Sequence, residues 1–501
     1  MGGAYDVVIV GAGNAALCAA LAAREQTERV LVLDKAPPEQ VGGNSAFTAG
    51  AFRTAYGSLD ALRPLLEDLS DAQAARIELP PYTESDFMED MKRVTHGRCD
   101  AELAGILVGD SFDTVRWLHA KGVRWELLYA RQSYRVGDRI RFWGGLALGV
   151  VGGGKGLIQA HLAAATSRGI TIRHAAPVVG LVKGEAGRVG GVLVEGESGP
   201  ETIEAGAVVL ACGGFEADPL MRATYLGPNW DIARVRGTPF NTGDGLRLAL
   251  QLGAQPYGHW SGCHAVFWDA NAPPSGDWGL TNRLSRLSYP LGIVVNAEGR
   301  RFLDEGADFR NYTYARYGAE VLRQPGAVAF QLFDARTEPL LREDEYRAPG
   351  VSRVEATSIE ILAERLGIDP AALEQTVREF NAAVRPGEFN PSIKDGKGTR
   401  GLEPPKSNWA QPLDRPPFVA FPVTCGITFT FGGLRVDAQC RVLDRAGRPI
   451  AGLYAAGELV GGLFYHNYPG GSGLMAGAVF GRRAGTAAAR QSASPPGGGK
   501  G

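Results

Sequence analysis

"YDVVIVGAGNAALCAALAAREQTERVLVLDK", Tyr5 to Lys35, decides how this chain is read. Val7 to Val10 is a short β-branched apolar run, as a strand buried on both faces requires. Gly11, Gly13 and Ala16 follow in the spacing G-x-G-x-x-A. In that spacing the first glycine permits a tight turn, and the second lets backbone N–H groups approach a pyrophosphate. The third small residue lets helix and strand pack closely. Asn14 to Arg24 reads as a helix whose first residues, Asn14 and Ala15, aim free N–H groups and a positive dipole end at that pyrophosphate. The next strand, Val30 to Leu33, ends in Asp34, where a carboxylate takes ribose hydroxyls, with Lys35 beside it. The stretch predicts a βαβ unit that binds a dinucleotide. The blander alternative is a plain βαβ unit with a glycine turn.

Working outward, four more glycine-marked elements recur: "GGNSAFTAGAF" (42–52), "AVVLACGGFEAD" (207–218), "NTGDGLRLALQLGA" (241–254) and "GRPIAGLYAAGELVGG" (447–462). Such spread implies one extended ligand and a domain completed by its C-terminus. The segment "GGLFYHNYPGGSGLMAGAVFGRRAG" (461–485) crowds Tyr465, His466, Asn467 and Tyr468 ahead of a glycine turn. Gly470 to Leu474 reads as that turn, and Met475 as the start of a helix.

Composition excludes several classes. A net charge of -2 gives no global field for nucleic acid or membrane surfaces. Six cysteines without a C-x-x-C pair give no support for zinc, iron–sulfur or c-type haem sites. Sparse cysteine points to a reducing, cytoplasmic compartment, with membrane attachment at most peripheral and through an electron-acceptor partner. No secretory signal pattern or membrane-length apolar run is present. The tail 491–501 reads as disordered.

The motifs "GGNSAFTAG", "LACGGF", "NTGDG", "NAEGRRFLDE", "GLYAAGE" and the final glycine-rich segment resemble the fumarate reductase/succinate dehydrogenase flavoprotein superfamily over nearly the whole chain. "GAGNAALCAALAARE", "GADFRNYTYARYG" and "FYHNYPGGSGLMAGAVFGR" look most like its FAD-dependent tricarballylate dehydrogenase branch, and are similar also to a precorrin-oxidising flavoprotein. The resemblance implies an α/β fold: a doubly wound, Rossmann-like FAD domain (1–258 and 430–490) with an inserted α+β capping domain (259–429). It implies FAD contacts at Gly11, Gly13, Asn14, Ala15, Asp34, Lys35, Asn44, Ser45, Thr48, Gly50, Val178, Gly213, Asp244, Glu458, Ser472 and Leu474. Relatives with covalent flavin carry a histidine where this chain has none, between Gly42 and Gly50, so the FAD is expected to be non-covalent.

Flavin oxidation of a saturated C–C bond needs a base for one proton and a clamp for the charge that develops beside it. The superfamily's arginine proton shuttle points to Arg310, one position later than a gapless match, with Tyr312, Tyr314 and Arg316 after it. Alternation would put Arg310, Tyr312 and Tyr314 on one face of an extended segment. The alternative for Arg310 is a surface arginine paired with Asp304, Glu305 or Asp308. His264 matches the family's carboxylate-binding histidine; its alternative is a satisfied core residue. Fumarate reductases carry a His pair where this chain has Thr428 and Phe429, and an arginine where it has Tyr468, with His466 nearby. Fumarate chemistry is therefore disfavoured. The leading expectation is desaturation of a small polycarboxylate, tricarballylate to cis-aconitate, with electrons passed to a separate protein or a quinone-linked partner. The second is desaturation beside a ketone, because "YPGGSG" resembles the 3-ketosteroid dehydrogenases and Phe429, Phe431, Phe464 and Tyr465 would line an apolar pocket. A non-enzymatic flavoprotein is the third.

Overall fold

The computed structural model of the chain describes residues 5–67, 69–143, 145–184, 187–196 and 199–493. Strand Tyr5–Val10, helix Asn14–Arg24 and strand Val30–Leu33 form the predicted βαβ unit. Tyr5–Val10 pairs in parallel with Val30–Leu33 on one side and with Gly199–Leu210 on the other. Thr171–Arg173 extends the sheet beyond Val30–Leu33, and Pro449–Ala455 extends it beyond Gly199–Leu210, both in parallel. The early half of Gly199–Leu210 leaves this parallel core to join the antiparallel strands Val189–Gly196 and Val178–Lys183. Val7, Val8, Ile9, Leu31, Val32 and Val208 to Leu210 have no exposed surface, which explains their unbroken apolar runs.

The last helix, Ser472–Ala493, packs on the first. Gly477, Gly481 and Gly485 recur every fourth residue and so share one face. A Cβ at Gly481 would stand 2.4 Å from the Ala15 carbonyl oxygen, and one at Gly485 would stand 2.0 Å from that of Ala19. The facing residues Ala15, Cys18 and Ala19 are small as well. Two sequence expectations shift here. The helix starts at Ser472, three residues before Met475, and it continues to Ala493, so 491–493 are helical rather than disordered. Residues 494–501 lie outside the described residues.

The chain divides into two compact units. The first comprises Met1–Leu226, Gly237–Cys263 and Phe429–Gly501; the second comprises Gly227–Arg236 and His264–Thr428. The second unit is α+β. Its sheet places Ala329–Asp334 between Ile293–Asn296 and the long strand Phe418–Leu434, antiparallel to both. Ile293, Val295, Phe330 and Leu332 pack with Leu362, Leu373 and Phe380 from helices Ile359–Leu366 and Pro370–Ala383. Gly227–Arg236 joins this unit through the parallel pairing of Arg234 and Val235 with Gly426 and Ile427, a short segment the sequence expectation assigned to the FAD domain. All six cysteines are free thiols. Among the described residues no helix is long and apolar enough to cross a membrane.

Gly481→Val is expected to lower stability by about 1–3 kcal/mol through overpacking, read as a lower urea midpoint. Gly105→Ala is the control: it is exposed in helix Ala101–Gly109, and a Cβ there meets nothing within 4 Å. That substitution is expected to be neutral or to stabilise by about 0.5–1 kcal/mol.

Candidate functional site

In the first unit, Gly11 turns the chain at φ +108°, and a Cβ there would lie 2.5 Å from the Ala211 carbonyl oxygen. Its N–H donates to Leu33 O at 2.7 Å, closing the turn onto the second strand. Asn14 then ties three helices together. Its Nδ2 donates to Leu474 O at 2.8 Å, and its Oδ1 lies 3.0 Å from Nε2 of His161, on helix Gly153–Ser167. Burial drives His161 down to about 4, so its ring is neutral. Asp34 ends its strand buried, and that burial raises its carboxyl above the usual range. The Lys35 backbone N–H and charge offset this only in part. The Lys35 ammonium donates to Thr242 Oγ1 and Asp244 Oδ2, each at 2.5 Å.

The second glycine loop forms a 3₁₀ turn, Gly43–Phe47, entered through Gly42 at φ +115°. Within it Gly50 N–H donates to Thr48 Oγ1 at 3.1 Å, and Asn14 N–H, at the start of the first helix, donates to Ser45 Oγ at 3.1 Å. Asn44 reaches further. Its Nδ2 donates to Glu216 Oε1 at 2.6 Å, and its Oδ1 accepts from Thr238 N–H at 2.7 Å. Gly213 sits at φ +78° against the Asn241 side chain, and Val178 opens its strand as a buried residue. Ser472 is buried and donates to Pro469 O.

The aromatics before the last helix separate into two groups. Tyr468 is buried and meets Phe429 edge-on, with centroids 5.3 Å apart and planes at 89°. Phe429 also meets Phe431 at 5.2 Å and Phe464 at 5.8 Å. A Cβ at Gly473, in the first turn of the last helix, would lie 3.7 Å from both Phe429 and Tyr468. Tyr465 belongs elsewhere: the Arg98 guanidinium lies 4.6 Å over its ring, and His259 stacks on it at 5.6 Å. His466 is exposed, at φ +61°, and stacks on His96 at 4.8 Å. Its N–H donates to His259 Nδ1 at 3.1 Å, a bond that needs the lone pair of a neutral imidazole. Burial, with His466 and Arg98 adding to it, pushes His259 down to about 4.

The second unit carries the other candidates. His264 is buried and meets Tyr314 edge-on at 5.0 Å. Burial, then the charge of Arg236, holds its imidazole well below the usual range. Arg236 is itself buried, donating to Thr428 Oγ1 at 2.6 Å and to Asn282 Oδ1 at 2.9 Å. Arg310 is half-buried and opens a 3₁₀ turn, Arg310–Tyr312, while Tyr314 begins helix Tyr314–Leu322. The segment is therefore not extended, and alternation does not align Arg310, Tyr312 and Tyr314. At three residues per turn, Arg310 shares its face with Thr313. Thr313 Oγ1 forms a 2.5 Å hydrogen bond with the buried Tyr289 hydroxyl, on which the Arg310 charge also acts. Two acids that were candidates to pair with Arg310 have other partners: Glu305 is gripped by Arg301 and Asp304 by Ser407.

Sequence reasoning passed over Glu216, Asn241, Thr430 and Arg236. The first two stand inside quoted motifs, directly after "GGF" and at the head of "NTGDG", but 25 positions apart, so no spacing marked them as partners. Arg236 in "ARVRGTPF" carries no such pattern.

The turn at Gly11, the helix end at Asn14, the buried Asp34 and the glycine positions closed to any side chain fit a dinucleotide lying along main chain, and they fit FAD. The class is an FAD-dependent oxidoreductase acting on CH–CH groups. Residues 6–474 match the family described as "FAD binding domain". The chain is 30% identical over 491 residues, 97% of its length and 75% of the relative's, to the "Probable fumarate reductase Ifc3" of Shewanella frigidimarina (strain NCIMB 400). It is 28% identical over 554 residues, 94% of its length and 90% of the relative's, to the "4-oxocyclohexanecarboxylate 2-dehydrogenase" of Sinomonas cyclohexanicum. The open conformation of a flavocytochrome c3 fumarate reductase superposes with a TM-score of 0.74 at 28% identity, covering 98% of this chain and 79% of that one. The chain belongs to the FAD-binding flavoprotein family of the fumarate reductases and succinate dehydrogenases.

His259 titrates near 4 in the folded chain, against about 6.5 unfolded. Between those values the unfolded state binds the extra proton, so stability falls as pH drops through that window. His259→Gln is expected to lessen the fall in urea midpoint with pH. An unchanged pH slope would show that His259 is not the neutral acceptor described.

Proposed function

We propose that this chain desaturates a C–C bond next to the carbonyl of a compact, partly apolar oxo-acid. The observation that carries the reading is Tyr468, buried among Phe429, Phe431 and Phe464 beside the first turn of the last helix. A phenol in apolar surroundings is a neutral hydrogen-bond donor. It suits a carbonyl oxygen that gains charge as the neighbouring carbon loses a proton, and it suits a second full carboxylate less well. The similarity to a 4-oxocyclohexanecarboxylate dehydrogenase supports this direction.

FAD, held non-covalently, supplies the hydride acceptor. The chain's own residues do the rest. Tyr468 donates to the carbonyl oxygen. In the second unit, half-buried Arg310, which opens the turn before Thr313, is the residue assigned to take the proton from the neighbouring carbon. Within the second unit, neutral His264, its neighbour Tyr314 and charged Arg236 are the groups suited to a carboxylate. The exposed His466 acts on Tyr468 through the backbone it fixes at His259, as a positioning residue. A separate protein or a quinone-linked partner accepts the electrons.

The second reading is desaturation of a polycarboxylate, tricarballylate to cis-aconitate. A buried, charged Arg236 beside His264 favours it, since that pair suits a carboxylate.

Anaerobic flavin bleaching separates the two. A 4-oxocyclohexane carboxylate is expected to bleach the flavin, with tricarballylate slow or inert; the opposite order overturns the first reading. Arg310→Ala is expected to lower kcat by about 10²–10⁴, and Tyr468→Phe by about 10²–10³, both measured with an artificial acceptor. Full activity in either variant removes that residue from the mechanism.

A further inference from the structure

Glu216 and Glu458 come from two different glycine-marked elements of the first unit, and their carboxyl groups meet. Glu216 Oε1 accepts from Asn44 Nδ2 and from Asn241 Nδ2, each at 2.6 Å. Glu458 Oε1 accepts from the Thr430 N–H at 2.6 Å and from its hydroxyl at 3.0 Å. Gly214, two residues before Glu216, packs so closely on Glu458 and Thr430 that a Cβ there would lie 2.1 Å from Glu458 Oε1 and 2.2 Å from Thr430 Oγ1. Glu216 is fully buried, and among the described residues no N–H or O–H donor reaches its Oε2. The two carboxyl groups interact directly, side chain to side chain. Two ionised carboxylates are acceptors only, so their contact becomes a hydrogen bond when one of them carries a proton.

We propose that Glu216 and Glu458 share a single proton at neutral pH, and that the flavin cradle closes around the pair only while that proton is present. The pair ties together five segments: the loop of Asn44, the strand end at Gly214 and Glu216, the turn of Asn241, the returning strand at Thr430 and the segment of Glu458. Losing the proton sets two negative charges in contact at the centre of those ties, and the FAD pyrophosphate adds negative charge to the same unit. Burial pushes both carboxyls upward, Glu458 to about 7, and the charge of Glu458 pushes Glu216 further. They titrate as one unit. The charged neighbour Arg222 donates to the Glu216 main-chain oxygen at 2.6 Å rather than to the carboxyl, and Asn44, Asn241, Thr430 and Gly214 are uncharged.

The test is the FAD dissociation constant of the full chain against pH at fixed ionic strength, by flavin fluorescence. Wild type is expected to weaken by about tenfold per pH unit above the pair's titration. Glu216→Gln keeps the oxygen that Asn44 and Asn241 bind and supplies a permanent N–H toward Glu458. Its affinity is expected to stay flat across the same range. An infrared carbonyl band of a protonated carboxyl is expected in the wild-type holoprotein, vanishing as pH rises and absent in Glu216→Gln. A flat wild-type profile, a Glu216→Gln profile that keeps the wild-type slope, or no such band overturns the proposal. If Glu216→Gln does not fold, the wild-type band and its titration decide alone.

Discussion

Main chain meets main chain where the last helix crosses the first, and the cofactor site depends on that closeness. With Gly477, Gly481 and Gly485 facing Ala15, Cys18 and Ala19, no side chain separates the two backbones. At that distance Asn14 can bond Leu474 O, so a residue of the first glycine turn is fixed by a residue 460 positions later. A larger residue anywhere along the seam would tilt the first helix, and with it the N–H groups that face a pyrophosphate. The seam also positions the turn ahead of the last helix, where Tyr468 sits.

Polar ties then set the interior of each unit, with His161 and His259 in the first and His264 in the second. Neutral histidines serve as acceptors or ring partners at His161, His259 and His264, each driven down mainly by burial. None of the three relies on a formal charge to hold its place. Charged ties in the first unit include the Lys35–Asp244 and Arg53–Asp90 pairs.

Much of the fold was legible because its signals are local. The βαβ opening shows itself in a period of apolar residues and three small residues at fixed spacing, and helix and second strand fall on the predicted residues. The short Gly227–Arg236 segment was not legible, since two residues of parallel pairing leave no pattern. The extended reading around Arg310 failed because alternation of polar and aromatic residues also suits a 3₁₀ turn running into a helix. The roles of Glu216 and Arg236 were hidden for a different reason: their side-chain partners lie between 25 and 242 positions away, from Asn241 to Glu458, and sequence spacing carries no information about such pairs.

The glycine seam has a consequence for how the chain comes into being. The first helix leaves the ribosome early, with Leu17, Cys18 and Leu21 destined for complete burial. Its cover is made from residues 472–493. At a synthesis rate of about 5–20 residues per second, the nascent chain carries that uncovered apolar helix for roughly 20–90 s. A small-residue surface is a mild liability during such a wait, because alanine and glycine offer little to stray hydrophobic partners. The same composition that permits the final close approach therefore also keeps the unfinished chain from sticking.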